Sequence, residues 1–393
     1  MNDVRLRKGL FILLLWAVSA LAQEECTVAV ISGAVTADGR PLLWKNRDSS
    51  TRENSAHFFH GPRYDFIGVI NSGDTTQVWM GMNTAGFALM NSESMDQDGD
   101  SADAEGYFMK QALGCCARVE ELDALLRQTA LAGRGTRANF GCIDAFGGAA
   151  FFETGNFRHT RFTPQDSGLV PAGLLVRANF SMTGKGDEAY GCWRYHRARS
   201  LLAGRLTAGK IDLPFLLSRV VRDLTSDELD PYPLPFKGAT EGAPQGFIPT
   251  QSTINRYRTV ACALFQGVKA GEDPALATMW LLLGEPVAAV ALPLWPASGQ
   301  VPDCFDGSGG SRLNQDFTRI RARLYPEKAL ASYLDTDRLA GGRRPWVKLR
   351  SELEAEVLGS VAAAMKDWRR KRPQGEALAE LQEKLVRRVQ RAL

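Results

Sequence analysis

Four histidines are scattered through 393 residues, and no Cys/His cluster has metal-ligand spacing, so neither a zinc nor a haem site is expected. Net charge is only +3 at pH 7, from 47 basic and 44 acidic side chains. No dense basic stretch is present to neutralise phosphates, and nucleic acid is not an expected partner. No Gly-x-Ser-x-Gly elbow occurs. The Gly-rich run Gly307-Ser308-Gly309-Gly310 lacks a lysine and a βα setting that could cradle a phosphate. Beyond the first residues no stretch reaches about 18 apolar residues, so no later membrane span is expected. No cofactor is implied. What is present is ordinary globular composition, 45% hydrophobic and 23% charged, sufficient for one large layered domain with an appendage.

The start of the chain reads as a secretory leader over residues 1–22. Arg5, Arg7 and Lys8 form the charged start, 10–18 the apolar centre, and Ala20-Leu21-Ala22 the small-residue cleavage site. Cutting there leaves Gln23-Glu24-Glu25 as a short pro-segment before Cys26. The expected location is therefore exported, periplasmic or secreted. Seven cysteines are present, an odd number. With Cys26 set aside as a reactive thiol, six remain that an oxidising compartment could pair.

Local pattern predicts strands at 28–34, 41–45, 65–70, 76–82 and 86–91, then helices at 106–116 and 119–130. Strands resume at 139–144, 149–153, 158–162 and 174–179, with helices at 187–203 and 213–224. A Pro-rich stretch, 230–249, reads as a long loop rimming a pocket. Apolar runs at 259–268, 277–283 and 288–294 fit buried strands. This order predicts a layered α+β fold with antiparallel sheets over residues 26–310. From 311 to 393 the pattern turns helical. Leu353, Val357, Val361, Met365 and Trp368 line one face, and Leu378, Leu381, Leu385 and Val389 another. This helical C-terminal extension is expected to pack on the body or, in a homo-oligomer, on a second copy.

The chemistry concentrates between Cys26 and Asp48. An N-terminal cysteine carries a thiol and an α-amine, a nucleophile and its base in one residue. A cation must favour the thiolate, and donors must await the oxyanion. Cys26 opens one strand, an Asp38-Gly39 turn follows, and the returning strand ends in Lys45-Asn46-Arg47-Asp48. Lys45 is the expected cation and Arg47, two residues on, its substitute. Asp48 is expected to orient the new ammonium. The competing reading of the cluster is a solvated turn.

Cys26-Thr27, the Asp-Gly turn and Lys45-Asn46-Arg47-Asp48 resemble the N-terminal-nucleophile (Ntn) hydrolases. They are closest to the isopenicillin N acyltransferase / carcinine hydrolase branch of the choloylglycine hydrolase superfamily. Lys45 stands where that pattern has arginine, keeping the charge but losing the bidentate fork. Three further segments extend the resemblance over roughly residues 26–295. The stretch from Gly81 to Asn91 implies Asn91 as one oxyanion donor, through its backbone N–H or its side chain. Arg177-Ala178-Asn179-Phe180 implies Asn179 as the second, and Asn255-Arg256-Tyr257-Arg258 implies Arg256 as a structural or electrostatic support. Gly141-Cys142-Ile143-Asp144 with Phe152-Glu153 resembles paired core strands, in which Asp144 and Glu153 are structural.

The fold so implied is a four-layer αββα sandwich. The implied activity is hydrolysis or acyl transfer at a linear amide C–N bond, through an acyl-cysteine and after autoproteolysis or processing by another peptidase. The implied partner is a small-molecule acyl amide. A bile-salt or N-acyl-homoserine-lactone amidase on the same scaffold is the alternative activity, with Phe58, Phe59, Tyr64, Phe66 and Trp79 as a candidate acyl lining. A non-enzymatic exported binding or envelope protein is the alternative class.

Overall fold

The computed structural model describes residues 25–98, 104–166, 171–185, 190–307, 310–326 and 328–393. The leader, residues 1–22, and Gln23 and Glu24 of the pro-segment lie outside the described residues. Two antiparallel sheets form the centre. One has six strands in the order β10 (Leu174–Arg177), β1 (Glu25–Ile31), β2 (Leu42–Asp48), β12 (Thr259–Gln266), β13 (Thr278–Leu282) and β14 (Leu292–Leu294). The other is a seven-stranded meander in chain order: β3 (Asn54–Phe59), β4 (Phe66–Asn71), β5 (Met80–Asn83), β6 (Ala88–Glu93), β7 (Ala138–Ile143), β8 (Ala149–Thr154) and β9 (His159–Phe162).

Strands β1 and β2 face β6 and β7 across the main core. Branched and aromatic side chains from both inner faces, such as Val28, Val30, Ile67, Met90 and Phe151, fill it. Helices α1 (Glu105–Cys115) and α2 (Val119–Thr129) cover the outer face of the meander over a second apolar cluster. Helix α3 (Cys192–Ala208) covers β1 and β10. The layers run helix, sheet, sheet, helix, as expected for the α+β sandwich.

Several expected elements differ. Strand β3 was not expected, because Asn54, Ser55 and His57 break its apolar alternation. The helix expected over 213–224 is only α4 (Leu213–Phe215), continued by a single π turn over Leu216–Val220. Arg222 donates to the carbonyl of Leu217 at 2.7 Å, taking an acceptor that a longer helix would use. The first hairpin is longer than a two-residue turn. Residues 32–41 include a 3-10 turn at Gly33–Val35, and Gly39 supplies the left-handed φ of 75°.

The Pro-rich loop packs against the C-terminal segment. Its end forms β11 (Phe247–Pro249), paired with β15 (Tyr333–Asp335), and Phe236 N donates to Thr336 Oγ1 at the start of α6 (Thr336–Ala340).

Helix α5 (Arg312–Leu324) leads into that segment, and α7 (Trp346–Trp368) and α8 (Gly375–Gln390) follow it. Both apolar stripes read from the sequence are buried within this chain, in the main core beside β14. A buried ion pair fastens α7. The guanidinium of Arg222 spends all five of its N–H donors on Glu354 and on the carbonyls of Leu217, Pro286 and Ala289. Glu354 Oε1 also accepts from Ala291 N at 2.9 Å. In α8, Gln382 Oε1 accepts from Trp295 N at 2.7 Å.

Removing one partner of such a pair strands a buried charge, so Glu354→Ala is expected to cost about 3–5 kcal/mol. The shift of the urea midpoint measures this, and a change within error would show that α7 docks by apolar contact alone.

Candidate active site

Antiparallel register decides what Cys26 faces. Cys26 lies opposite Arg47, Val28 opposite Lys45, Thr27 opposite Asn46, and Glu25 opposite Asp48. Side chains alternate along a strand and directly opposed residues share a face. Cys26, Lys45 and Arg47 therefore lie on one face, between the sheets. Glu25, Thr27, Asn46 and Asp48 lie on the other, towards α3 and the loop carrying Arg256.

On the inner face Lys45 is fully buried. Its Nζ donates to Asn91 Oδ1 at 2.6 Å and to the carbonyl of Trp79 at 2.9 Å, tying β2 to the opposite sheet. An ammonium has only donors, so Asn91 must present its oxygen to Lys45 and turn its Nδ2 elsewhere. Asn91 Nδ2 donates no hydrogen bond among the described residues. Arg47, also fully buried, donates to Asn54 Oδ1 at 2.5 Å and lies 4.8 Å above the Trp79 ring. The cation directly across from Cys26 is thus Arg47, with Lys45 two residue pairs further along, on the same face.

The backbone of Cys26 is held by side chains. Strand β10 pairs with β1 only as far as Arg177 opposite Val28. Beyond it, Asn179 Oδ1 accepts from Cys26 N at 2.9 Å, and Arg194 Nη1 donates to Cys26 O at 2.7 Å and to Thr27 Oγ1 at 3.0 Å. These two residues replace the missing strand and satisfy the end of β1. Asn179 Nδ2 donates to Glu93 O at 3.1 Å. Its amide is oriented towards the Cys26 nitrogen, where an oxyanion donor had been expected.

On the outer face Glu25 and Asp48 meet two arginines. Glu25 Oε2 accepts from Arg256 Nη1 at 2.5 Å and from Arg194 Nη2 at 3.2 Å. Asp48 accepts from Arg256 Nη1 at 3.2 Å and from Thr259 Oγ1 at 2.6 Å. Burial raises the carboxyl pKa of Asp48 above its ordinary value, while Arg256 and Arg194 pull it back. Burial lowers the pKa of Arg194, with the neighbouring Arg256 adding to the shift. Burial also opposes the charge of Arg256, yet Asp48 and Glu25 hold its pKa above ordinary. Asn255 fixes the Arg256 loop by donating to Glu285 Oε1 at 2.7 Å and accepting from Val287 N at 2.9 Å.

The six residues singled out in the sequence thus gather around one strand end, but on two faces. Cys26, Lys45 and Asn91 share the inner side, Asp48 and Arg256 the outer, and Asn179 bridges at the backbone. Arg194 and Glu25 were not anticipated. Arg194 is one of 47 basic side chains, in a helix with no motif around it, and Glu25 was read as pro-segment alone. Of the expected acyl-lining aromatics, Phe59 and Phe66 stack at 4.8 Å inside the cluster beneath α1. Tyr64 lies under Arg63. Trp79 reaches the site. Asp144 and Glu153 anchor backbone: Asp144 accepts from Val119 N at the start of α2, and Glu153 from Met182 N and Thr183 N. Among the described residues no group of His, Cys, Asp and Glu could hold a metal ion, and no helix is long and apolar enough to cross a membrane.

No family model matches the sequence, and no curated protein matches it. Solved structures similar in fold include the following three. One is an N-acylethanolamine-hydrolyzing acid amidase ortholog from Caenorhabditis elegans, at 12% identity and TM-score 0.40, covering 63% of this chain and 93% of that one. The second is a conjugated bile acid hydrolase from Clostridium perfringens, at 12% and 0.40, covering 66% and 89%. The third is a penicillin V acylase from Agrobacterium tumefaciens, at 15% and 0.38, covering 69% and 86%. Likeness of this size carries no residue role and no substrate over to this chain.

None of the seven cysteines is in a disulfide, although six had been read as able to pair. Burial pushes the thiols of Cys116 and Cys304 up to about 12, and those of Cys142 and Cys262 well above ordinary. Those four are therefore expected to resist iodoacetamide at pH 7 in the native protein and to react in denaturant. Peptide mapping by mass spectrometry reads this, and native labelling of Cys142 at the rate of partly exposed Cys115 would contradict it.

Proposed function

We propose that this chain is an amide hydrolase or acyltransferase whose nucleophile is Cys26, unmasked by cleavage of the Glu25–Cys26 bond. One observation carries the reading. The backbone of Cys26 is gripped on both polar groups, by Asn179 Oδ1 and Arg194 Nη1, where no strand requires it. That grip fixes a residue whose nitrogen is to become a terminal amine. The side chain of the same residue lies on the inner face of β1, the face shared by Arg47 and Lys45, and Lys45 holds Asn91, whose Nδ2 donates no hydrogen bond among the described residues.

In the reaction the α-amine of Cys26 takes the thiol proton, directly or through one water. The thiolate attacks the carbonyl of a linear amide, and Asn91 Nδ2 donates to the oxyanion. Lys45 acts twice: its charge favours the anionic states, and its hydrogen bond sets the orientation of Asn91. Arg47, across the ladder from Cys26, adds to the positive field. As the tetrahedral adduct collapses, the C–N bond breaks and the leaving amine takes the proton held by the Cys26 ammonium. Asn179 holds the nitrogen throughout, and its role is positioning. Water then attacks the thioester and gives the acid; an amine acceptor in its place gives acyl transfer. Export through the 1–22 leader belongs to the same proposal, because removing the leader and pro-segment uncovers the amine.

Mass spectrometry of the exported protein is expected to find a chain beginning at Cys26 with an unmodified thiol. With a panel of acyl amides, Cys26→Ala is expected to be inactive, and full activity in that variant would overturn the mechanism. Asn91→Ala is expected to lose about 10²–10³ in kcat with little change in KM, the usual cost of one oxyanion donor. A loss confined to KM would assign Asn91 to ground-state binding instead.

A further inference from the structure

Glu25 is the residue that must leave, yet its carboxylate has a built seat. Two buried arginines from separate elements, Arg194 of α3 and Arg256 of the loop before β12, converge on Glu25 Oε2 at 3.2 and 2.5 Å. Each is fastened independently of Glu25. Arg194 holds the carbonyl of Cys26, Thr27 Oγ1 and Asn179 Oδ1. Arg256 holds Asp48 Oδ2 and, through Nε, the carbonyl of Gln251. The seat therefore does not depend on its occupant. With Glu25 in place, two guanidiniums face two carboxylates, Glu25 and Asp48. Once Glu25 is gone, the two cations face Asp48 alone, and an uncompensated buried positive charge attracts an anion. The Glu25 side chain is 26% exposed, so the seat opens to solvent.

We infer that, in the processed protein, Arg194 and Arg256 form a carboxylate subsite beside Cys26 that selects acyl groups of glutaryl length. This rests on the proposed function above. The geometry assigns the anion to the acyl half of the substrate, because Glu25 is the acyl half of its bond to Cys26. In Glu25 three carbons, Cα, Cβ and Cγ, separate the carbonyl carbon from the carboxylate. A glutaryl group has the same three. Glu25 and Cys26 point to opposite faces of β1, but with the chain beginning at Cys26 those faces meet at the strand's free end. To be held there, an acyl group on Cys26 Sγ must pass around that end to meet the arginines.

The test uses the processed protein with two chromogenic amides of equal chain length, glutaryl-p-nitroanilide and pentanoyl-p-nitroanilide. The glutaryl amide is expected to have the higher kcat/KM by about tenfold or more, since a site built for an anion rejects its neutral analogue. Arg256→Gln is expected to bring that ratio towards one. Equal turnover of the two amides by the unmutated protein would overturn the inference, whatever the folding of the variant. Should neither amide be cleaved, binding decides. Calorimetry with glutarate and neutral glutaramide is expected to show tighter, salt-sensitive binding of glutarate. No preference for glutarate would overturn the subsite. Loss of all acyl-amide turnover with glutarate binding retained would remove the proposed reaction and leave the subsite standing.

Discussion

The site depends on an unfinished ladder. Strand β1 is flanked by β2 along its whole length, but β10 abandons it after Arg177. Continuing β10 would have satisfied Cys26 N and O with backbone groups and sealed the strand end. Instead a side-chain acceptor and a side-chain donor take those places. They give Cys26 a fixed backbone without covering its preceding peptide bond by another strand. Cys26 is thus placed rigidly without a strand on its second side, and the inner and outer clusters are arranged around it.

Each cluster is costly alone and tolerable as a pair of shells. The inner one buries two cations, Lys45 and Arg47, against amide oxygens, a carbonyl and an indole face. The outer one balances Arg194 and Arg256 against Asp48 and Glu25. The outer balance explains why Arg256 keeps its charge despite burial. It also sets Asp48, on the face away from the thiol, against Arg256 in the folded chain.

Much of this was legible in the sequence, and the reasons for the rest are specific. Residues that act through a strand's alternation were readable: the apolar runs of β12 and β13, and the shared face of Lys45 and Arg47. The same alternation puts Asp48 on the opposite face from Lys45. What the sequence could not supply is the register across a ten-residue connection, which decides that Arg47 and not Lys45 faces Cys26. Arg194 was illegible for another reason. It meets Cys26 across 168 residues of chain through packing of α3, and no local pattern marks that encounter. The helical pattern of α7 and α8 was plain, whereas their partner was not. An amphipathic face has the same appearance whether the surface it meets belongs to its own chain or to another.

The sheet order also sets a timetable. Strand β1 lies near the start of the chain, yet the later strands of its sheet begin at residues 174, 259, 278 and 292, and the ion pair that secures α7 closes at 354. Loops of that length close slowly, because their entropy is lost before any contact rewards it. Arg194, Asn179 and Arg256 can meet Cys26 only after most of the chain has been made and collapsed. In a nascent chain emerging from its start onward, the surroundings of Cys26 are therefore assembled among the last events of folding.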